Sequence, residues 1–97
     1  MSNYTKGRAK EYFCIQQLTQ EGYLAIRSAG SHSPADVIAF LIEPIPEKPL
    51  IRFIQCKAMK YIGKKVIKEL QDLCLPLIIQ REIWHFQKYK PPKIIII

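Results

Sequence analysis

Three residues have the types and spacing to do chemistry together. Asp36 opens an apolar run that continues Val-Ile-Ala-Phe-Leu-Ile, and Gln55 and Lys57 close the next one, Leu-Ile-Arg-Phe-Ile-Gln-Cys-Lys. Residues two apart on a strand share a face, so Gln55 and Lys57 point the same way. If the two runs pair as a hairpin, the start of the first lies opposite the end of the second. Asp36 then stands beside Gln55 and Lys57 at one end of a small sheet, a place expected to be wet. A carboxylate, an amide carbonyl and an ammonium at one point suit a divalent cation and a phosphodiester. Hydrolysis of that ester needs an activated water and a stabilised oxyanion, and Mg²⁺, for which Mn²⁺ commonly substitutes, takes oxygen ligands of this kind. Asp36, the Gln55 side-chain oxygen and the Cys56 backbone carbonyl are the candidate ligands, with Glu11 joining directly or through water. Lys57 is placed to orient or deprotonate the water and to hold a phosphate oxygen. Ser31 offers a hydroxyl near the phosphate. With Gln at position 55 the site carries little charge, and metal affinity is expected to be weak.

These residues need a sheet and two helices to position them. Residues 6–21 carry a helical pattern, with Glu11, Ile15, Leu18 and Gly22 on one face, Tyr12 and Phe13 widening it, and Gly22 as its stop. Glu11 is a carboxylate heading an apolar stripe, which calls for a partner or a metal. Strands are expected over 23–27, over 36 to about 43 with both faces buried, and over 50–57, where Arg52 snorkels or meets the helix side. Pro44, Pro46 and Pro49 occupy the connection between the last two. A second amphipathic helix is expected over 64–74, with Lys64, Lys65 and Lys68 in its first half, a placement that suits an external anion. A fourth strand then leads to a turn at Arg81-Glu82, a fifth follows from Ile83, Pro91 and Pro92 end it, and an apolar tail, 94–97, packs on the sheet or on a second subunit. The order is α-β-β-β-α-β-β.

The chain has 97 residues, the size of one domain over 1–97, and a net charge of +7. That excess favours a polyanionic partner. The apolar runs are too short to span a membrane and the N-terminus carries no signal core, which points to an intracellular protein with no membrane partner. Cys14, Cys56 and Cys74 are not spaced as metal knuckles and read as buried small hydrophobes in a reducing compartment. His32 and His85 read as structural or surface residues, and Tyr61 as a candidate stacking residue.

Taken together, Lys6-Gly7, Glu11, Gly22-Tyr23, Arg27, Ser31, Pro34-Ala-Asp36 and Gln55-Cys-Lys57 resemble the motifs of the PD-(D/E)xK nuclease superfamily, most of all archaeal-type Holliday junction resolvases. The resemblance covers residues 6–89. It implies an α/β, restriction-endonuclease-like core with a central mixed five-stranded sheet flanked by two helices. It also implies a Mg²⁺-dependent endodeoxyribonuclease acting as a homodimer on four-way or branched DNA, with Glu11, Ser31, Asp36, Gln55 and Lys57 at its active site. Lys6, Arg8, Arg27, Lys60, Lys64, Lys65 and Lys68 are the candidate DNA contacts. Two departures stand out: an alanine separates Pro34 from Asp36, and Gln55 replaces the second acid. Gln-Cys-Lys also resembles restriction enzymes that cut methylated DNA. A restriction-type nuclease and a non-catalytic nucleic-acid-binding subunit are therefore the alternatives, and the compactness suggests a viral or phage source.

Overall fold

In the computed structural model, residues 3–28, 35–73, 75–76 and 78–97 are described, with side chains from Arg8 onward. Helix α1, Asn3–Gln20, leads into strands β1, Tyr23–Arg27, β2, Val37–Leu41, and β3, Ile51–Lys57; α2, Lys64–Gln71, crosses to β4, Ile79–His85, and β5, Lys93–Ile96, closes the sheet. The five strands lie in chain order. All neighbours are antiparallel except β3 and β4, which run parallel because the α2 crossover carries the chain back to the level at which β3 begins. This is the expected mixed sheet with two helices.

Each element has a local cause. The end of α1 is set by Gly22, at φ 96°, where a side chain would be strained. The β2–β3 connection carries three prolines, and Tyr23 anchors it by donating its hydroxyl to the Pro49 carbonyl at 2.7 Å. The core lies between α1 and the sheet, where Cys14 and Leu18 meet Tyr23, Val37, Ala39, Ile54 and Trp84. Tyr12 and Phe13 do not widen the buried stripe of α1 but stay exposed. The opposite face of β1 and β2 is open: Leu24, Ile26, Phe40 and Ile42 are exposed, so β2 is buried on one face and not on both. Its apolar run comes from β-branched and aromatic residues on an uncovered face.

The second half of the sheet departs most from expectation. Arg81-Glu82 is not a turn; both residues lie inside one continuous strand, β4, and the isoleucine tail supplies the fifth strand. Within β5, Ile94 and Ile96 remain exposed. The reason for the unbroken β4 is Glu82, which is fully buried and whose carboxylate accepts from Arg52 Nε at 2.6 Å and Nη2 at 2.7 Å, Gln80 Nε2 at 2.7 Å and Trp84 Nε1 at 3.0 Å. A carboxylate so saturated can occupy the middle of a strand. Arg52 therefore does not snorkel: it lies over the Tyr23 ring at 5.1 Å and the Trp84 ring at 6.0 Å. Burial alone would lower its pKa, but the bonds and charge of Glu82 outweigh that and raise it. Arg81 points the other way, donating to the Leu73 carbonyl at 2.8 Å, which sets α2 on the face of the sheet opposite α1.

Breaking this pair leaves the buried Arg52 with only the more exposed Glu21, 3.8 Å away, to offset its charge. Glu82→Ala is expected to lose about 3–5 kcal/mol in urea denaturation, while the double change Arg52→Met with Glu82→Leu loses far less, because no charge is left to desolvate.

Candidate active site

The β2–β3 register brings the predicted residues to one end of the sheet. The register ends at Val37 opposite Ile54, and the Asp36 N–H also donates to the Ile54 carbonyl at 2.8 Å, one residue out of register, so Asp36 and Val37 both face Ile54 and Gln55 is the next residue along β3. The Asp36 side chain then takes over from the ladder: its Oδ2 accepts the Cys56 N–H at 2.8 Å. Glu11 and Lys57 both lie close enough for their charges to act on Asp36. Glu11 comes from the α1 face. Gln55 and Lys57 alternate with Cys56, whose sulfur meets Cys14 of α1 at 3.2 Å, so they stand on the other face. The site thus straddles the end of the sheet, with the Asp36 carboxylate between the two sides.

Burial raises the Asp36 pKa above its usual value; the Cys56 N–H opposes this, the Glu11 charge adds to it, and Lys57 opposes it. Ionised Asp36 is therefore held against a cost that a cation would relieve. Gln55 is not at a wet strand end, as its position suggests, but only 4% exposed, packed beside Ile83. Its Oε1 is buried with no hydrogen-bond partner among the described residues. A buried carbonyl oxygen without a donor is uncommon and costs free energy, and a hard cation is a ligand that would satisfy it. The donor set thus fits a divalent ion bound by oxygen. It is lean in charge, since among the described residues no three His, Cys, Asp or Glu gather into a metal-binding group.

Other predicted residues fall into distinct places. Glu11 is engaged by Arg27, with Nε to Oε1 at 3.1 Å, and the Arg27 guanidinium lies 5.3 Å from the Tyr12 ring centre. Arg27 thus holds the acid of the site. The sequence does not reveal this pair, because its partners lie on different elements. Arg8, Lys60, Lys64, Lys65 and Lys68 are exposed. Ser31, His32 and Cys74 lie outside the described residues, as does the side chain of Lys6. His85 is tied through Nε2 to the Met59 carbonyl at 2.6 Å, a structural role. The Cys56 thiol is pushed far up by its hydrogen bond with Cys14, by burial and by the nearby carboxylates, which makes it inert as a nucleophile.

No protein-family model matches the sequence, and no curated protein matches it significantly. The fold is similar to that of Archaeoglobus fulgidus Hjc, a Holliday junction resolvase from an archaeal hyperthermophile, with a TM-score of 0.69 and 18% identity over 94% of this chain and 72% of that one. No helix among the described residues is long and apolar enough to cross a membrane.

The raised pKa of Asp36 makes a stability prediction. Below its ordinary value of 3.8 the carboxyl is protonated in both folded and unfolded chains, and as pH climbs from there through the raised folded value the fold loses stability. Asp36→Asn removes that loss and keeps an oxygen for the Cys56 N–H. In metal-free buffer the variant is expected to melt above the parent at pH 7, by about 4–8 °C for each kcal/mol recovered, and to converge with it near pH 3 to 4.

Proposed function

We propose that this chain is a divalent-metal-dependent endodeoxyribonuclease that cuts branched DNA, with the four-way junction as its substrate class. The observation that carries this reading is the buried, unpartnered Gln55 Oε1 at the strand end shared with Asp36 and Lys57. The fold shared with a resolvase and the net charge of +7 support it.

Mg²⁺, or Mn²⁺ in its place, would be held by the Asp36 carboxylate, Gln55 Oε1, the Cys56 carbonyl and Glu11. Such an ion supplies Lewis-acid polarisation of the phosphoryl group and a water of lowered pKa. Asp36 brings the fixed negative charge, oriented by the Cys56 N–H. Glu11, clamped by Arg27, keeps its carboxylate in one place. Lys57 places an ammonium against a non-bridging phosphate oxygen and orients the attacking water. Ser31, outside the described residues, is proposed from its place in the sequence alone as a further hydroxyl of the site. Two symmetric nicks in a junction require two matched sites, and the open apolar face formed by Leu24, Ile26, Phe40 and Ile42 suits a two-fold homodimer. The competing reading is a non-catalytic DNA-binding subunit, favoured by the amide at 55 and by the engagement of Glu11 with Arg27.

Cleavage of a labelled four-way junction beside linear duplex, with and without Mg²⁺, decides between them: paired nicks near the branch point are expected, and no cut in either DNA with Mg²⁺ or Mn²⁺ would sink the nuclease reading. In the same assay Gln55→Leu should be inactive. Gln55→Glu, which buries a second carboxylate, should melt lower without metal, recover more on adding Mg²⁺ than the parent does, and cut at lower Mg²⁺. A Leu variant that still cuts would take Gln55 out of the metal site.

Lys64, Lys65 and Lys68, exposed along α2, are proposed to neutralise phosphates. Changing all three to Ala should flatten the salt dependence of binding by up to about 3 units, about one for each phosphate left without its lysine. An unchanged slope would place α2 off the DNA.

A further inference from the structure

Beside the candidate site, on its β4 side, the surface is hollowed. A groove of about 690 Å³ lies between α1 and the β4–β5 connection, walled by Phe13, Phe86 and Tyr89. A second, of about 890 Å³, carries Lys60 and Lys88, and the two share Lys10, Phe86 and Lys90. They therefore form one continuous trough. It begins where the site ends: the Phe86 N–H donates to the Lys57 carbonyl at 2.7 Å, and Ala58, next in the chain, lines the wall.

The lining combines two chemistries. The Phe13 and Phe86 rings meet edge to face at 5.7 Å and form an apolar floor. Lysines stand around it, and among the described residues no Asp or Glu lines either groove. Tyr89 is the oddest member. Its ring is fully exposed, and its backbone sits at φ 61°, a left-handed conformation that a bulky side chain rarely adopts. An aromatic ring held in water on a strained backbone gains nothing for the fold and is the kind of outlier found at binding sites.

We propose that this trough is a subsite for an unpaired DNA strand, with a base stacked on Tyr89 above the phenylalanine floor and the backbone phosphates on Lys60, Lys88 and Lys90. A flat aromatic wall suits the face of a base, which a paired duplex keeps within its own stack, and the lysines suit the phosphates that come with it. An acidic protein segment would meet the charge but would have no general need for a stacking wall. The inference rests on the nuclease reading for its meaning: a strand unpaired at the branch point presented to Asp36 and Lys57 would leave along β4.

The test is fluorescence anisotropy of the full chain, without divalent metal, on a labelled oligothymidine and on a labelled duplex. Tyr89→Ala is expected to weaken oligothymidine binding about tenfold, as removal of one stacked base does, and to change duplex binding by less than about twofold. Tyr89→Phe keeps the ring and should keep the affinity. The residue is fully exposed, so melting temperatures should match the parent. An unchanged oligothymidine affinity in Tyr89→Ala, or an equal loss on both DNAs, overturns the proposal and leaves the trough to a protein partner. That failure is separable from failure of the nuclease reading. A chain that cuts junctions but ignores Tyr89→Ala loses the subsite alone, and one that grips oligothymidine through Tyr89 but cuts nothing loses the nuclease alone.

Discussion

The candidate site at the end of this sheet depends on one carboxylate that continues the contacts of a strand ladder. Asp36 pairs with β3 twice, its N–H donating to the Ile54 carbonyl and its Oδ2 accepting the Cys56 N–H. The side chain thus takes the place a backbone carbonyl would hold, and β2 can begin with a charged residue at a half-buried position. Everything at the site follows from that anchoring. The bond to Cys56, which lies between Gln55 and Lys57 on β3, brings the carboxylate to this end of the strand, and Glu11 of α1 and Lys57 both lie close enough for their charges to act on it. Satisfying one oxygen with a backbone donor offsets only part of the cost of burial, so the Asp36 pKa stays raised.

The two ends of β3 treat buried polarity in opposite ways. At Arg52 the guanidinium finds a saturated carboxylate, Glu82, between two aromatic rings. Every donor to that carboxylate is a protein group, and the cluster acts as a structural pin between β3 and β4. At Gln55 a buried oxygen is left that no donor among the described residues reaches. A fold able to saturate one buried acid so fully, yet leaving a buried carbonyl bare three residues along the same strand, fits the general pattern in which binding sites carry costs that the rest of the structure offsets.

The legible parts of the sequence were those governed by short-range rules. The period of two put Gln55 and Lys57 on one face, and the two apolar runs around three prolines indicated the hairpin that brings Asp36 to the same end of β3. Gly22 marked the end of α1. What escaped was polarity whose partner lies far along the chain. Arg81-Glu82 looked like a turn because two adjacent charges inside a strand have no local excuse, and Glu82 finds its excuse in Arg52, 30 positions away. Glu11 called for a partner or a metal, and its partner Arg27 was not legible because it sits on another element. Gln55 was expected to be wet because strand ends usually are, whereas the neighbouring β4 buries it. The isoleucine tail was recognised as needing cover, but its pairing with β4 could be placed only once β4 was known to be continuous.

The central claim is that Asp36 and Gln55 share a cation. Anomalous diffraction from crystals soaked in Mn²⁺ tests it without reference to activity or DNA. The account predicts a manganese peak within about 2.2 Å of both an Asp36 carboxylate oxygen and Gln55 Oε1, close to the ideal for an octahedral ion bound by oxygen. It also predicts loss of the peak in Asp36→Asn. A fully soaked crystal whose manganese binds elsewhere, with Gln55 Oε1 still bare, would contradict it.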